Sequence, residues 1–263
     1  MIILIQVIDK LVPKGHPNRP CYTNNPIAII VHYTANYNKG SNALAHTKYV
    51  SRDYIKKDGK VYEINGVTSF VYGCAHVYID NISAYRVIPY NEYAPAAGDT
   101  QLPKNNGYNG QTKIAKEVFN HKQNYMSIQY ELCINGDGDW NKTVDNAIEI
   151  IARDMIKYNI PIEHVYRHYD LTGKICPKPF VDNPKDWERF INRLDNKIKE
   201  LNGDFMFKDI KGHYAEKYIE AVAKTGLMVG DGNGIFNPDQ PITRAQMAVI
   251  LAKLLHMPIE DKK

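Results

Sequence analysis

The sequence has no apolar run near the ~18 residues that a membrane-spanning helix needs, which argues against a transmembrane segment. Its four cysteines are too few for a dense disulfide framework in a chain of 263 residues. The apolar start is short and has no basic leader or cleavage site, so we expect a first strand there and no Sec signal peptide. Synthesis in a reducing compartment, the cytoplasm, is the matching expectation.

The charge balance is also mild. The net charge is +4, and the positive excess lies wholly in residues 1–203. It suits an anionic partner surface and is too weak to indicate nucleic-acid binding, while an ordinary solvated surface explains it as well. With 44% hydrophobic and 24% charged residues, the composition is close to ordinary globular usage, and disordered, collagen-like and coiled-coil classes fit it poorly.

The chain divides near residue 202. A helix predicted over residues 182–201 carries apolar side chains at three- and four-residue spacing, and Asn202-Gly203 is typical of a helix end. We therefore predict two closely joined domains, a larger one over residues 1–201 and a smaller one over 202–263.

Strands and helices alternate in the larger domain. Strands are predicted over 27–33, 76–79, 85–88 and 127–134, and helices over 41–54, 111–124 and 143–158. This order indicates an α/β fold with a mixed central β-sheet flanked by helices. Ser41 is the predicted N-cap of the first helix. A hairpin-like excursion is indicated by turn signals at Asp58-Gly59 and Asn65-Gly66.

The smaller domain has a different pattern. A helix over residues 213–225, a glycine-rich loop and a second helix from Thr243, its predicted cap, form a small all-α helix–loop–helix unit.

Metal-ligating side chains concentrate in the stretch YRHYDLTGKICPKPF, which holds His168 and Cys176. A third candidate, His32, ends a buried strand, where open α/β sheets gather their site residues. Two imidazoles and a thiolate would make a three-ligand zinc site with one open position, the catalytic pattern. Spacing alone does not select these three residues, because a lone histidine at a strand end is more often simply packed.

Several motifs resemble the zinc-dependent N-acetylmuramoyl-L-alanine amidases of the type-2 amidase family, which includes phage endolysins, Bacillus-type autolysins and peptidoglycan recognition proteins. They are IVHYTAN, CAHVYID, VIPYNEYAPAAGD, SIQYELCIN and RHYDLTGKICPKPF, in the family's order. The resemblance implies the fold of that family and a Zn²⁺ cofactor. It also implies that His32, His168 and Cys176 are the zinc ligands.

The resemblance assigns two catalytic roles. Glu131 would take a proton from water on the zinc and pass one to the leaving amine, unless it is a solvent-facing glutamate on an edge strand. Lys174 would stabilise the oxyanion, unless it is an exposed loop lysine.

The family's substrate cleft is less well matched. His76 is expected there, with a structural hydrogen bond as the alternative, and His46 is expected to be structural. The chain has Ala94-Pro95-Ala96-Ala97-Gly98 where members often read A-W-H-A-G, so contacts to glycan or peptide are expected to differ.

The smaller domain resembles a single S-layer homology motif, carried by FKDI, GHYA, GDG, FNP and ITRA. The resemblance implies binding to anionic, often pyruvylated, secondary cell-wall polysaccharide through Tyr214, Asp231 and Arg244. Gln246 stands where the family typically has Glu. The alternative is a helical cap without a ligand.

Together these motifs predict a peptidoglycan hydrolase that cuts the amide between the lactyl group of N-acetylmuramic acid and L-alanine. Zinc would polarise the carbonyl and supply hydroxide. The expected partners are peptidoglycan and wall polysaccharide, with no nucleic acid and no membrane insertion, and self-association through the small C-terminal unit. The alternatives are a non-catalytic peptidoglycan-binding module and a structural S-layer-associated protein.

Overall fold

The structure, a computed structural model, describes residues 5–52, 54–57, 60–63, 73–98, 112–202, 207–210, 212–231, 234–255 and 257. The chain forms two compact units, residues 1–198 and 199–263. No helix within these ranges combines the length and the apolar character needed to cross a bilayer.

The strands are β1 (Val7–Asp9), β2 (Ala28–Tyr33), β3 (Tyr54–Lys57), β4 (Lys60–Glu63), β5 (Val77–Ile79), β6 (Ala84–Arg86), β7 (Ser127–Leu132) and β8 (Val165–Arg167). The helices are α1 (Ala43–Val50), α2 (Lys113–Phe119), α3 (Trp140–Tyr158), α4 (His168–Thr172), α5 (Lys178–Asp182), α6 (Pro184–Asn202), α7 (Glu216–Lys224) and α8 (Arg244–Leu254).

Six strands form one sheet in the order β1-β6-β5-β7-β2-β8. Only the β5–β6 pair is antiparallel, so the predicted mixed α/β sheet is confirmed. The β5–β6 turn is closed by Asp80, whose Oδ1 accepts the backbone N–H groups of Ile82 and Ser83. Its other oxygen accepts the N–H of Ala43, which ties the start of α1 to the same turn.

Helices cover both faces of the sheet, as apolar strands buried on both sides require. On one face Ile29, Val31 and Tyr130 pack with residues of α3 and α6. On the other face Ala28 and Ile30 pack with Phe119 of α2 and Leu171 of α4. Side chains alternate along a strand, so His32 belongs to the second face.

Several predicted boundaries were wrong. Helix α1 is shorter than expected, and its N-cap is Asn42, not Ser41, because the Asn42 side chain accepts the N–H of Ala45 at 3.0 Å. The hairpin β3–β4 agrees with the expected excursion, whereas Asp58-Gly59 and Asn65-Gly66 lie outside the described residues.

The C-terminal unit has its own small core of Phe207, Ile210, Ile219 and Ala223. Gly230 has φ +63°, and a Cβ there would stand 2.6 Å from the Phe207 ring, so this position requires glycine. Helix α8 begins with a capping box: Thr243 Oγ1 accepts the Gln246 N–H at 3.1 Å, and Gln246 Oε1 accepts the Thr243 N–H at 2.9 Å. Thr243 is confirmed as the cap, and glutamine fills the position of the usual glutamate.

Candidate functional site

His32 is the penultimate residue of β2 and lies on the face of the sheet covered by α2 and α4. Its register partner on the neighbouring parallel strand β7 is Glu131. The two side chains therefore leave the same end and the same face of two adjacent strands, where functional groups of such sheets gather.

The loop after β8 brings His168 and Cys176 together. Arg167 holds this loop with a forked ion pair to Asp170 and a hydrogen bond from Nη1 to the Phe180 carbonyl at 3.0 Å. The backbone N–H of Tyr169 donates to the Cys176 carbonyl at 2.8 Å. The chain consequently turns back on itself, and the sulfur returns to the histidine that begins α4.

The three predicted ligands converge. His32 Nδ1 lies 3.1 Å from His168 Nδ1 and 3.8 Å from Cys176 Sγ, although 136 residues separate the two histidines. One ligand atom from each residue lies within 4.8 Å of the others. All three side chains are buried, with 1%, 3% and 2% exposure.

Burial sets the charge state of these groups. Burial, assisted by the Lys174 ammonium, lowers the pKa of His32 to about 3 and that of His168 well below its usual value. Burial raises the pKa of the Cys176 thiol to about 12, against the opposing effect of Lys174. Both imidazoles are thus neutral and present lone pairs.

This donor set fits zinc. Two neutral nitrogens and one sulfur within 4.8 Å of one another are ligands of the kind and number that catalytic zinc sites use. A bound cation would also favour the thiolate form of Cys176.

Glu131 is half-buried, and its Oε2 atom is sheltered from solvent with no hydrogen-bond partner in the described part of the chain. Burial raises the pKa of this carboxyl to about 7, and Lys174 opposes the shift. The alternative of a solvent-facing glutamate on an edge strand is wrong, because β7 lies between β5 and β2.

Lys174 is half-buried, which does not match the exposed loop lysine of the alternative. Its positive charge favours the deprotonated form of each neighbouring group. It adds to the effect of burial on the pKa values of the two histidines and opposes it for Glu131 and Cys176. The ammonium group therefore belongs to the electrostatic environment of the cluster.

His76 does not fit a substrate cleft. Its side chain is fully buried, its Nε2 bonds to the Glu92 carbonyl at 2.9 Å, and its Nδ1 accepts the Gln129 N–H at 3.0 Å. Both ring nitrogens are in use, so the geometry favours the structural alternative. His46 likewise packs inside the fold, stacked on Tyr78.

Sequence reasoning missed Gln129, which is fully buried and bonds to His32. The available signal was a polar side chain two residues before Glu131, on the same face of a strand whose other members are largely apolar.

The comparisons with known proteins agree with this geometry. The N-acetylmuramoyl-L-alanine amidase family matches residues 22–179, which include His32, His168 and Cys176. The chain belongs to this family of type-2 amidases. Residues 207–248 match the S-layer homology domain.

Individual amidases support the assignment. CwlH of Bacillus subtilis (strain 168) is 31% identical over 193 residues, which cover 73% of this chain and 62% of CwlH. XlyA of the same strain is 30% identical over 187 residues, 71% of this chain and 50% of XlyA. The solved catalytic domain of XlyA superposes with a TM-score of 0.54 at 28% identity, covering 72% of this chain and 99% of that domain. The amidase chain thus spans about half to three fifths of these two curated relatives.

The three candidate residues of the S-layer homology unit are all exposed. Tyr214 is 90% exposed, and its ring is tilted by 36° against that of His213, with 4.6 Å between the ring centroids. Arg244 is exposed at the first position of α8. Asp231 has a structural bond, because its Oδ1 accepts the Ile235 N–H at 3.3 Å within the loop.

Proposed function

We propose that this amidase hydrolyses peptidoglycan at the amide between the lactyl group of N-acetylmuramic acid and L-alanine, with zinc held by His32, His168 and Cys176. The observation that carries the proposal is the convergence of these three ligand atoms, with Glu131 paired to His32 in register and its Oε2 lacking a hydrogen-bond partner among the described residues. Residues 1–201 would form the catalytic domain.

Zinc, when bound, would supply a Lewis acid that polarises the scissile carbonyl and activates water. Glu131 would accept the proton of the attacking water and return it to the leaving amine. A carboxyl with a pKa of about 7 can do both near neutral pH. Lys174 would hold its ammonium near the carbonyl oxygen as negative charge develops there.

The main alternative is a peptidoglycan-binding module without catalysis. The presence of Cys176, buried beside both histidines, favours the enzyme, because a module that only recognises wall fragments does not need a third metal ligand. The half-buried Glu131, on the same face of the sheet as His32, favours the enzyme for the same reason.

We further propose that residues 202–263 anchor the enzyme to anionic secondary cell-wall polysaccharide, so that it acts at the bacterial wall. The Arg244 guanidinium suits a carboxylate such as a pyruvyl group, Tyr214 offers an exposed ring to a sugar, and Asp231 a hydrogen-bond acceptor. Helix α8 is apolar and has no buried residue in the described part of the chain, which supports self-association through this unit.

One experiment separates the activities. Purified walls are incubated with the full chain, and newly exposed L-alanine amino groups are quantified with and without a chelator, then after zinc is restored. If the chain is a zinc amidase, amino groups are released, the chelator abolishes this release, and added zinc restores it. Binding to walls without release would support the recognition module, and absence of both would contradict the two functions.

A further inference from the structure

Gln129 is a buried side chain whose orientation is determined by its neighbours. Its Nε2 donates to the Ala94 carbonyl at 2.8 Å and to Asn124 Oδ1 at 2.9 Å. The Asn124 oxygen is identified in turn, because it also accepts the backbone N–H of Ala97 at 2.8 Å. Backbone groups at both ends of this chain of bonds therefore decide which end of the Gln129 amide is nitrogen.

The orientation of Gln129 dictates the proton position on His32. Because the Gln129 nitrogen donates to Ala94 and Asn124, the amide oxygen Oε1, an acceptor, faces His32 Nε2 at 3.0 Å. An acceptor facing a ring nitrogen requires that nitrogen to carry the hydrogen. The other nitrogen, Nδ1, is then the lone-pair donor, and it is the atom that faces His168 and Cys176.

We propose that Gln129 is a positioning residue that fixes His32 in the Nε2–H tautomer and holds its ring with Nδ1 directed at the metal position. The inference rests on the proposed function, since it needs a metal at the three ligands. Loss of a residue that hydrogen-bonds to a metal ligand typically weakens metal binding by about 10- to 100-fold.

The chain offers a matched control in Gln123. It is also a glutamine with 0% exposure, and its Nε2 donates to carbonyls of the same loop, those of Ala97 and Gly98. Neither of these two bonds reaches a histidine. A change at Gln123 therefore removes a comparable buried amide and none of the hydrogen bonds that Gln129 itself makes.

The experiment uses the zinc-loaded full chain with ¹⁵N-labelled histidine. Long-range ¹H–¹⁵N spectra identify which nitrogen of His32 carries hydrogen and how fast that hydrogen exchanges, and chelator competition gives zinc affinity. We expect wild type to show a slowly exchanging Nε2–H. Gln129→Met should exchange faster and bind zinc about 10- to 100-fold more weakly, while Gln123→Met should match wild type in both measurements.

Gln129→Glu is a second variant, which tests the same role if the methionine variant does not fold. It keeps an oxygen for the His32 Nε2–H but loses both donated bonds, so we expect the slowly exchanging signal to persist. Hydrogen on Nδ1 in wild type, or unchanged zinc affinity in a folded Gln129→Met, would overturn the role of Gln129. A wild-type chain that takes up no zinc would instead overturn the proposed function.

Discussion

His32 and Glu131 are register partners on the parallel strands β2 and β7, with their side chains on one face of the sheet. A shift of one residue in this pairing would turn one of the two toward the opposite face. The backbone hydrogen bonds of this pairing therefore keep the first proposed ligand next to the proposed proton carrier, independently of their side chains.

Replacing Cys176 by serine should empty the proposed metal site. A serine hydroxyl does not ionise as a thiol does, so we expect zinc below a tenth of stoichiometric after dialysis and loss of wall lysis. Elemental analysis and far-UV circular dichroism measure metal content and folding. Cys133→Ser is the control, because Cys133 is also buried but is not in the cluster. A folded Cys176→Ser enzyme with full turnover would refute the ligand.

Replacing Glu131 by glutamine should separate metal binding from catalysis. An amide cannot accept the proton, so we expect kcat to fall by about 10²- to 10⁴-fold with zinc content unchanged. The rate of amino-group release from walls and the zinc content of the same sample are measured together. A glutamine variant that lyses walls at the wild-type rate would move the proton carrier elsewhere.

His76 should make the metal-free protein less stable in acid. Its pKa is about 4 in the folded chain, because it is buried, and about 6.5 when unfolded, so the unfolded state binds the extra proton between these values. Stability present above pH 6.5 is lost as pH falls toward 4, at up to about 1.4 kcal/mol per pH unit. Urea unfolding at several pH values measures how steeply the free energy of unfolding falls with pH. In His76→Gln this dependence should be smaller than in wild type by the uptake of about one proton on unfolding. Equal slopes in both proteins would exclude this contribution.

Arg244 should contribute to wall binding and not to hydrolysis. We expect Arg244→Gln to weaken binding to intact walls about tenfold, as loss of ~1.4 kcal/mol from one bidentate charge contact would do, with soluble muropeptide cleavage unchanged. Lys253→Gln, an exposed cation on the same helix, is the matched control. Sedimentation with walls, before and after chemical removal of polysaccharide, measures the effect. Equal binding of both variants would remove Arg244 from the anchor.

Helix α8 should mediate self-association. Val249 and Leu254 are 53% and 54% exposed, and a chain bearing glutamate at both positions should be monomeric because charge opposes burial of that surface. Light scattering should give a mass above the 30.1 kDa monomer for wild type and the monomer mass for a chain ending at Leu201. A monomeric wild type would contradict the prediction.

Local pattern was enough to predict much of the fold. The β-branched run of β2 and the periodic apolar residues of α3 and α6 identify those elements, whereas the start of α1 depended on one side-chain bond of Asn42. The site was harder to predict. Spacing does not link His32 to Cys176, and only the family resemblance selected them.

Gln129 shows why the remaining part of the site could not be predicted. Its role depends on the register that sets it beside β2 and on bonds to Ala94 and Asn124, and these relationships exist only in the folded chain. A polar residue in a buried strand signals that some partner is present but does not identify it.

The neutral capping box of α8 has a consequence for acid tolerance. Glutamate at the Gln246 position would lose its charge near pH 4, but the Gln246 amide does not titrate and keeps accepting the Thr243 N–H. The two capping hydrogen bonds at the start of α8 therefore do not change as the pH falls. The buried histidines of the N-terminal unit, in contrast, favour unfolding in acid. At acidic pH the Thr243–Gln246 cap should therefore persist where the metal-free N-terminal unit loses stability.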